Sequence, residues 1–389
     1  MTATFDVIVA GVGAMGAAAC SALAQRGARV LGIERFDVPH PFGSSGGQTR
    51  LIRKAYYEHP DYVPLLERAY AAWHELEART RTALLFQTGL VCAGPPDGVL
   101  VTGMRRAAQA HRLELATLAR EELTARVPAL RVPSGFDVLF EAQGGFLLCE
   151  RAVAAFAHDA LEHGAVLRAR ERIVRWDVTG DGVHVFTDKD HYRAARLVIT
   201  AGPWSARFLA ERGLRLRVTR QCVGWVRPQR PALFAYGAFP CFLIDDDTPG
   251  ASGCWYGFPS LPSAVFAGPS GLKVGYHAPG PVVDPDALDR ALRAAEEARI
   301  HDGLTRFLPE ADGPLLAAQV CMYTNSDDGH FVVDRHPSYP PVVFACGFSG
   351  HGFKFAPVIG EALADLALDG GSSLPIGFLS LARFGGGPR

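Results

Sequence analysis

The chain has 389 residues, of which 48% are hydrophobic and 20% charged, with a formal net charge of −1. That composition fits a globular protein of about two domains or one large interrupted one, and a charge so near neutral offers no footprint for nucleic acid or an anionic membrane. Eight cysteines, at 20, 92, 149, 222, 241, 254, 321 and 346, show neither a CxxC pair nor zinc spacing with histidine, which excludes the usual signatures of a structural metal and of a disulfide framework.

The first residues, MTATFDVIVAG, have no basic stretch, and their apolar run is too short for a signal peptide or a membrane span. A reducing cytoplasm is the expected compartment. Residues 5–11 read as a strand, GVGAMG (11–16) as a tight turn, and the small-residue run after it as a helix that closes at Gly27. A second strand, RVLGIER (29–35), carries Glu34. Gly11, Gly13 and Gly16 let a pyrophosphate approach the helix N-terminus, and Glu34 can hold a ribose hydroxyl. GxGxxG alone is a weak signal; set between a strand and a small-residue helix, it points to a dinucleotide.

Leu66, Ala69, Tyr70, Trp73 and Leu76 repeat with helical spacing across 62–77. GVHVFT (182–187) alternates as a strand, and RLVITAGPW (196–204) reads as a buried strand entering a Gly-Pro turn. The Pro- and Gly-rich region 228–283 reads as loops and sheet. Asp284-Pro285 resembles a cap and first-turn pair, predicting a helix to Ile300. Residues 341–368 return to strand, glycine-rich turn and helix. Several separated segments converging on one nucleotide fit FAD better than a nicotinamide, whose dehydrogenases use a continuous nucleotide-binding half.

Of the 39 basic side chains only four are lysine: Lys54, Lys189, Lys273 and Lys354. A lysine kept in an arginine-biased chain invites a question, because it can lose its proton when buried and arginine cannot. Cys321 by itself reads as an ordinary buried thiol.

GSSGGQTRLIRKAY (43–56), LVITAGPW (197–204), AFPCFL, YGFPS (256–260), GLKVGYH (271–277), CMYTNSDD (from 321), DRHP (334–337) and GFSGHGFKFAP (347–357) together resemble the monomeric sarcosine oxidase family. The likeness extends to N-methyltryptophan and pipecolate oxidases within the glycine oxidase and D-amino-acid oxidase superfamily, and it covers the whole chain. It implies an α/β (α+β) fold: a Rossmann-like FAD-binding domain built from residues 1–85, 150–217 and 320–389, and a substrate domain on a mixed or antiparallel sheet from 86–149 and 218–319. It implies a monomeric FAD-dependent oxidase of secondary amino acids that releases an imine and hydrogen peroxide. FAD is expected to be covalent through Cys321 and held also by Gly11, Gly13, Gly16, Glu34, Arg35, Ser44, Thr49, Gly347, Gly350 and Lys354. Arg53 and Lys354 are expected to clamp the substrate carboxylate with Tyr256 beside them. Lys273, with Arg50, is expected to serve the reaction with oxygen, and His277 and Tyr323 to line the reacting centre. For Arg53 a solvated arginine, for Lys273 a strand lysine facing water and for His277 a core histidine are the plain alternatives. One departure stands out: the family has histidine where this chain has Gly46, which leaves room and directs attention to a bulkier amine. Two further readings are a tailoring oxidase of a biosynthetic pathway and a catalytically silent flavin-binding subunit. The terminal GGGPR carries no peroxisomal address.

Overall fold

The computed structural model describes residues 4–209, 214–248 and 250–385; the C-terminal residues 386–389, where the absence of a peroxisomal address was expected, lie outside them. Two eight-stranded sheets and one of three strands carry the chain. The strand Thr4–Ala10 pairs in parallel with Val30–Ile33 on one side and with His191–Ile199 on the other. His191–Ile199 shares its far edge between an antiparallel neighbour, Gly182–Thr187, and a parallel one, Val342–Cys346. Segments far apart in sequence therefore meet in one parallel core, which is how the fold recovers nucleotide-site residues from both ends of the chain.

The helix Ala14–Gln25 crosses between the first two strands. Its small residues answer a packing demand: a Cβ on Gly360 of the helix Ala356–Leu368 would lie 2.6 Å from the Ala18 carbonyl carbon. Gly16 is needed because a methyl there would fall 1.8 Å from the Gly11 carbonyl oxygen, and Gly11 itself has a φ of +92°. The helix ends with Gly27 at φ +79°, where its N–H donates to Ala24 and that of Ala28 to Leu23. The helix expected at 62–77 spans Tyr62–Thr80, and its stripe of Leu66, Ala69, Trp73 and Leu76 is fully buried. Each large apolar side chain on that stripe contributes roughly 2 kcal/mol.

The second sheet is antiparallel except where Cys241–Asp245 runs parallel to Leu90–Gly94. Its edge strand Leu315–Asn325 pairs with Arg217–Val226, which pairs with Leu272–His277. The small sheet joins Thr49–Ile52, Gly145–Leu148 and Leu85–Phe86. No helix of the described residues is long and apolar enough to cross a membrane.

The helix predicted to start at Asp284 is corrected: it begins at Ala294 and runs to Phe307. Asp284 Oδ1 accepts from the Asp286 N–H at 2.9 Å, a local turn. The carbonyls of Asp289 and Ala291 are taken by the buried Arg220 guanidinium, so they cannot enter a helical ladder. The true start is marked by Glu296, whose carboxylate accepts from the Arg293 N–H at 2.9 Å.

Candidate active site

A cavity of about 1340 Å³ opens where the parallel strands of the first sheet end, and Gly11, Gly13, Glu34, Arg35, Ser44, Gly347 and Gly350 stand on its wall. Glu34 closes the glycine turn, its carboxylate accepting from the N–H of Val12 at 2.8 Å and of Phe36 at 3.0 Å. Arg35 pairs with Asp286 at 2.5 Å, and the same carboxylate accepts from Trp204 Nε1 and Arg207. Gly16 is absorbed in packing beneath the turn. FAD fits this wall on two counts. A Cβ on Gly13 would meet nothing closer than Ser45 Oγ at 3.5 Å, so backbone is open to a ligand there. Ser44 and Thr324 also line the cavity, and their hydroxyls, buried within the protein, have no hydrogen-bond partner among the described residues. Buried hydroxyls are seldom left in that state.

Beside this cavity, residues 44–49 form a cage of backbone carbonyls around two cations. Arg50 donates to the carbonyls of Ser44 at 3.1 Å, Gly46 at 2.6 Å and Thr49 at 2.9 Å. Lys273 Nζ donates to the carbonyls of Gly47 at 2.5 Å and Thr49 at 2.8 Å and to the Thr49 hydroxyl at 3.2 Å. Thr49, expected on the cofactor, lies off the cavity wall and holds Lys273. Lys273 is 1% exposed, so the solvent-facing alternative does not apply to it. Burial, then Arg50, pulls its pKa down to about 7.

A second cavity, of about 540 Å³, shares Arg50, Tyr323, Gly350 and Phe353 with the first and adds Arg53, Glu58, Tyr256, His277 and Lys354. Arg53 is buried, stacked between the rings of Tyr56 at 4.3 Å and Tyr57 at 4.5 Å, and donates to both oxygens of Glu58 at 2.7 and 2.8 Å. Lys354 Nζ donates to the His351 carbonyl at 2.8 Å, and burial followed by Arg53 lowers its pKa to about 7. Burial alone would push Glu58 up, but Arg53, His351 and Lys354 outweigh it and bring the carboxyl to about 2. His277 Nδ1 meets the Tyr323 hydroxyl at 3.2 Å. Burial lowers the His277 pKa and raises those of Tyr256 and Tyr323, so this wall is polar and uncharged at neutral pH.

Both buried lysines make stability depend on pH. Between about 7 and the ordinary 10.5, the unfolded chain binds protons that the folded chain has released, so stability rises with pH across that window. Lys273→Met removes one such group and leaves every other titration in common. The stability difference, wild type minus variant, measured by urea unfolding, is expected to grow from pH 7 toward pH 10 by up to about 1.4 kcal/mol per pH unit. Parallel curves for the two proteins would exclude a depressed Lys273.

Cys321 is buried on the strand Leu315–Asn325 opposite Gln221 and lies behind the wall; its neighbours Met322, Tyr323 and Thr324 line the larger cavity. Arg50, Lys273, Tyr256 and Tyr323 are its electrostatic neighbours. The room expected at Gly46 is corrected. A Cβ there would lie 2.9 Å from Gln319 Nε2 and 3.3 Å from Pro41 Cα, so the missing side chain is replaced by protein and does not widen either cavity. Glu58, His351 and Tyr56 were missed from the sequence. Glu58 lies five residues after Arg53, and a buried arginine needs an anion; that spacing was the available signal. Among the described residues no group of His, Cys, Asp or Glu is placed to hold a metal.

The model of a family described as FAD dependent oxidoreductase (DAO) matches residues 6–366. The monomeric sarcosine oxidase of Streptomyces avermitilis is 40% identical over 391 residues, covering 100% of both chains. The N-methyl-L-tryptophan oxidase of Salmonella arizonae is 34% identical over 98% of this chain and 99% of its own. In structure, the open form of NikD, described as an unusual amino acid oxidase essential for nikkomycin biosynthesis, superposes with a TM-score of 0.85 at 25% identity, covering 97% of this chain and 98% of that one.

Proposed function

The chain belongs to the FAD dependent oxidoreductase (DAO) family, among the sarcosine and N-methyl-L-tryptophan oxidases, and from that premise we propose that it oxidises a secondary amino acid, N-methylated or cyclic. FAD bound here would supply a two-electron acceptor for the carbon beside nitrogen, with oxygen as the final acceptor and an imine and hydrogen peroxide as the products. The observation that carries this reading is the shared wall: the cavity that holds Arg53 and Lys354 meets the FAD cavity at Arg50, Tyr323, Gly350 and Phe353.

The protein's own groups then have definite work. Lys354 and Arg53 take the substrate carboxylate, which would be costly to bury unpaired. An anion arriving beside Lys354 holds its proton on. Three cations, Arg50, Arg53 and Lys354, face Glu58 alone, and His277, Tyr256 and Tyr323 add no negative charge. Such a field disfavours an ammonium and selects the free amine, whose lone pair the oxidation needs. Tyr256 and Tyr323 exclude water and shape the wall. Ser44, Thr324, Glu34, Arg35 and the glycines at 11, 13, 347 and 350 hold FAD, with attachment through Cys321. Lys273, backed by Arg50, serves the oxygen reaction, where a fixed cation stabilises the charge that develops on O₂.

The same reading divides the chain into FAD-binding segments 1–85, 150–217 and 320–389 and substrate segments 86–149 and 218–319. It is supported by the first sheet, whose strands fall within 4–33, 166–199 and 332–346. It makes the protein a monomer, as its relatives' names say of them, in a reducing cytoplasm suited to eight free cysteines. A second reading, a tailoring oxidase acting on a larger amine, is favoured by the likeness to NikD and not by Gly46.

The test is anaerobic mixing of the purified holoprotein with sarcosine, other N-methyl amino acids, pipecolate and proline, with peroxide measured after air is admitted. At least one is expected to bleach the flavin band, and Lys354→Met to raise the KM for it by roughly 10²-fold, about the worth of a desolvated charge pair. If no member of the panel bleaches it, the substrate class is wrong. A protein that makes no peroxide with any amine is a silent flavin carrier.

A further inference from the structure

Lys273 owes its position to a turn that is conformationally costly. Gly47 has a φ of +104° and Gln48 one of +65°, two successive left-handed residues of which the second is not glycine. Something must hold such a turn, and the structure shows what does. Glu150, in the first turn of the helix Cys149–Glu162, accepts from the Gly47 N–H at 2.7 Å through Oε1 and from the Gln48 N–H at 3.0 Å through Oε2. The Cys149 N–H donates to the Gln48 carbonyl at 2.9 Å, and Trp225 Nε1 donates to Gln48 Oε1 at 2.9 Å. With both N–H groups taken by Glu150, the carbonyls on either side, those of Gly47 and Thr49, turn toward Lys273 Nζ.

We infer that Glu150 is the positioning residue of the Lys273 site: it braces the Gly47–Gln48 turn that aims two carbonyls at the ammonium, and it supplies the one full negative charge that keeps the proton on Lys273. The inference rests on the reading of Lys273 as the oxygen-reaction residue. The charged and titratable groups facing Lys273 are Arg50, Cys149, Glu150, Cys321 and Cys241, with the rings of Phe258 at 4.7 Å and Trp225 at 5.4 Å closing the rest. Of these only Glu150 is an acid. Arg50 opposes it, the thiols add little while protonated, and no water-facing side is left, since Lys273 is 1% exposed. Lys354 has a different set, Arg53, Glu58 and Arg50, and so serves as an internal control.

The scarcity of lysine makes the test direct. With lysine labelled at Cε, the holoprotein shows four lysine signals, assigned by replacing each lysine in turn. The Lys273 signal is expected to titrate near neutral pH in the wild type. In Glu150→Gln, which keeps an amide oxygen for the turn and loses the charge, its midpoint is expected to fall by about one pH unit. The Lys354 midpoint stays where it was, and unchanged signals of Lys54 and Lys189 show that the variant is folded. The rate constant of the reduced protein with oxygen should follow, with its pH profile displaced by the same amount and its value near pH 7.5 lower by about five- to ten-fold. A Lys273 midpoint that does not move in Glu150→Gln overturns the inference. A midpoint that moves without the oxygen profile, or a Lys273→Met protein that reacts with oxygen at the wild-type rate, removes the reading of Lys273 and leaves the hold of Glu150 on it intact.

Discussion

Reduced protein carrying Lys273→Met is expected to react with oxygen about 10²- to 10³-fold more slowly than the wild type, the usual cost of removing one preorganised donor from a developing charge. Its anaerobic reduction by substrate changes far less, because Lys273 lies on neither cavity wall while Arg53 and Lys354 stay in place. Methionine matches the length of the lysine stem and suits the Trp225 and Phe258 rings. It takes one donor from each of the Gly47 and Thr49 carbonyls, which keep the Thr49 N–H at 2.7 Å and Arg50 Nη1 at 2.9 Å, so the stability lost is small beside the loss of rate. Arginine is a poor rescue, since its planar fork does not fit a cage built for a compact ammonium. Stopped-flow mixing of the reduced variant with oxygenated buffer reads the rate. Equal rates for variant and wild type would place oxygen activation elsewhere.

Acid-precipitated and washed wild-type protein is expected to keep its flavin colour, and Cys321→Ala to lose it completely. The sulfur lies on a strand whose next three residues line the larger cavity, with Arg50, Lys273 and Arg290 among its cationic neighbours. Cys149, whose Sγ is 3.9 Å from Arg50 Nη1, is another buried thiol in this region. Cys149→Ala is therefore the control, and it is expected to keep the colour. Colour that washes from the wild type makes Cys321 a plain buried thiol; colour retained by Cys321→Ala and lost by Cys149→Ala moves the link to the other sulfur.

The glycine turn was legible because its sterics are local: Gly11 and Gly16 touch each other's backbone, and Glu34 reaches Val12 across one helix. Lys273 and Lys354 were legible for a compositional reason, being lysines in a chain that otherwise prefers arginine. What escaped depends on contacts that no local pattern records. Glu150 braces residues about a hundred positions earlier in the chain. Gln319 fills the space at Gly46 from the far side of the fold. The false helix start at Asp284 had a good local signature, and a buried arginine from another strand overrode it by taking the carbonyls. The family resemblance carried roles to Arg53 and Cys321 that their own surroundings in sequence did not suggest.

Arg53 does not wait with a free charge, since its Nη2 already donates to both Glu58 oxygens, at 2.7 and 2.8 Å, and its Nη1 to the Ala55 carbonyl at 3.2 Å. On the proposed reading, a substrate carboxylate at Arg53 competes with Glu58 for the guanidinium, and the apparent affinity is net of the ion pair already there. Such a balance offsets part of the positive charge that Arg50, Arg53 and Lys354 bring to the empty site and makes loading sensitive to anything that shifts Glu58. On that reading the chain carries its own competitor for the substrate carboxylate, tethered five residues away.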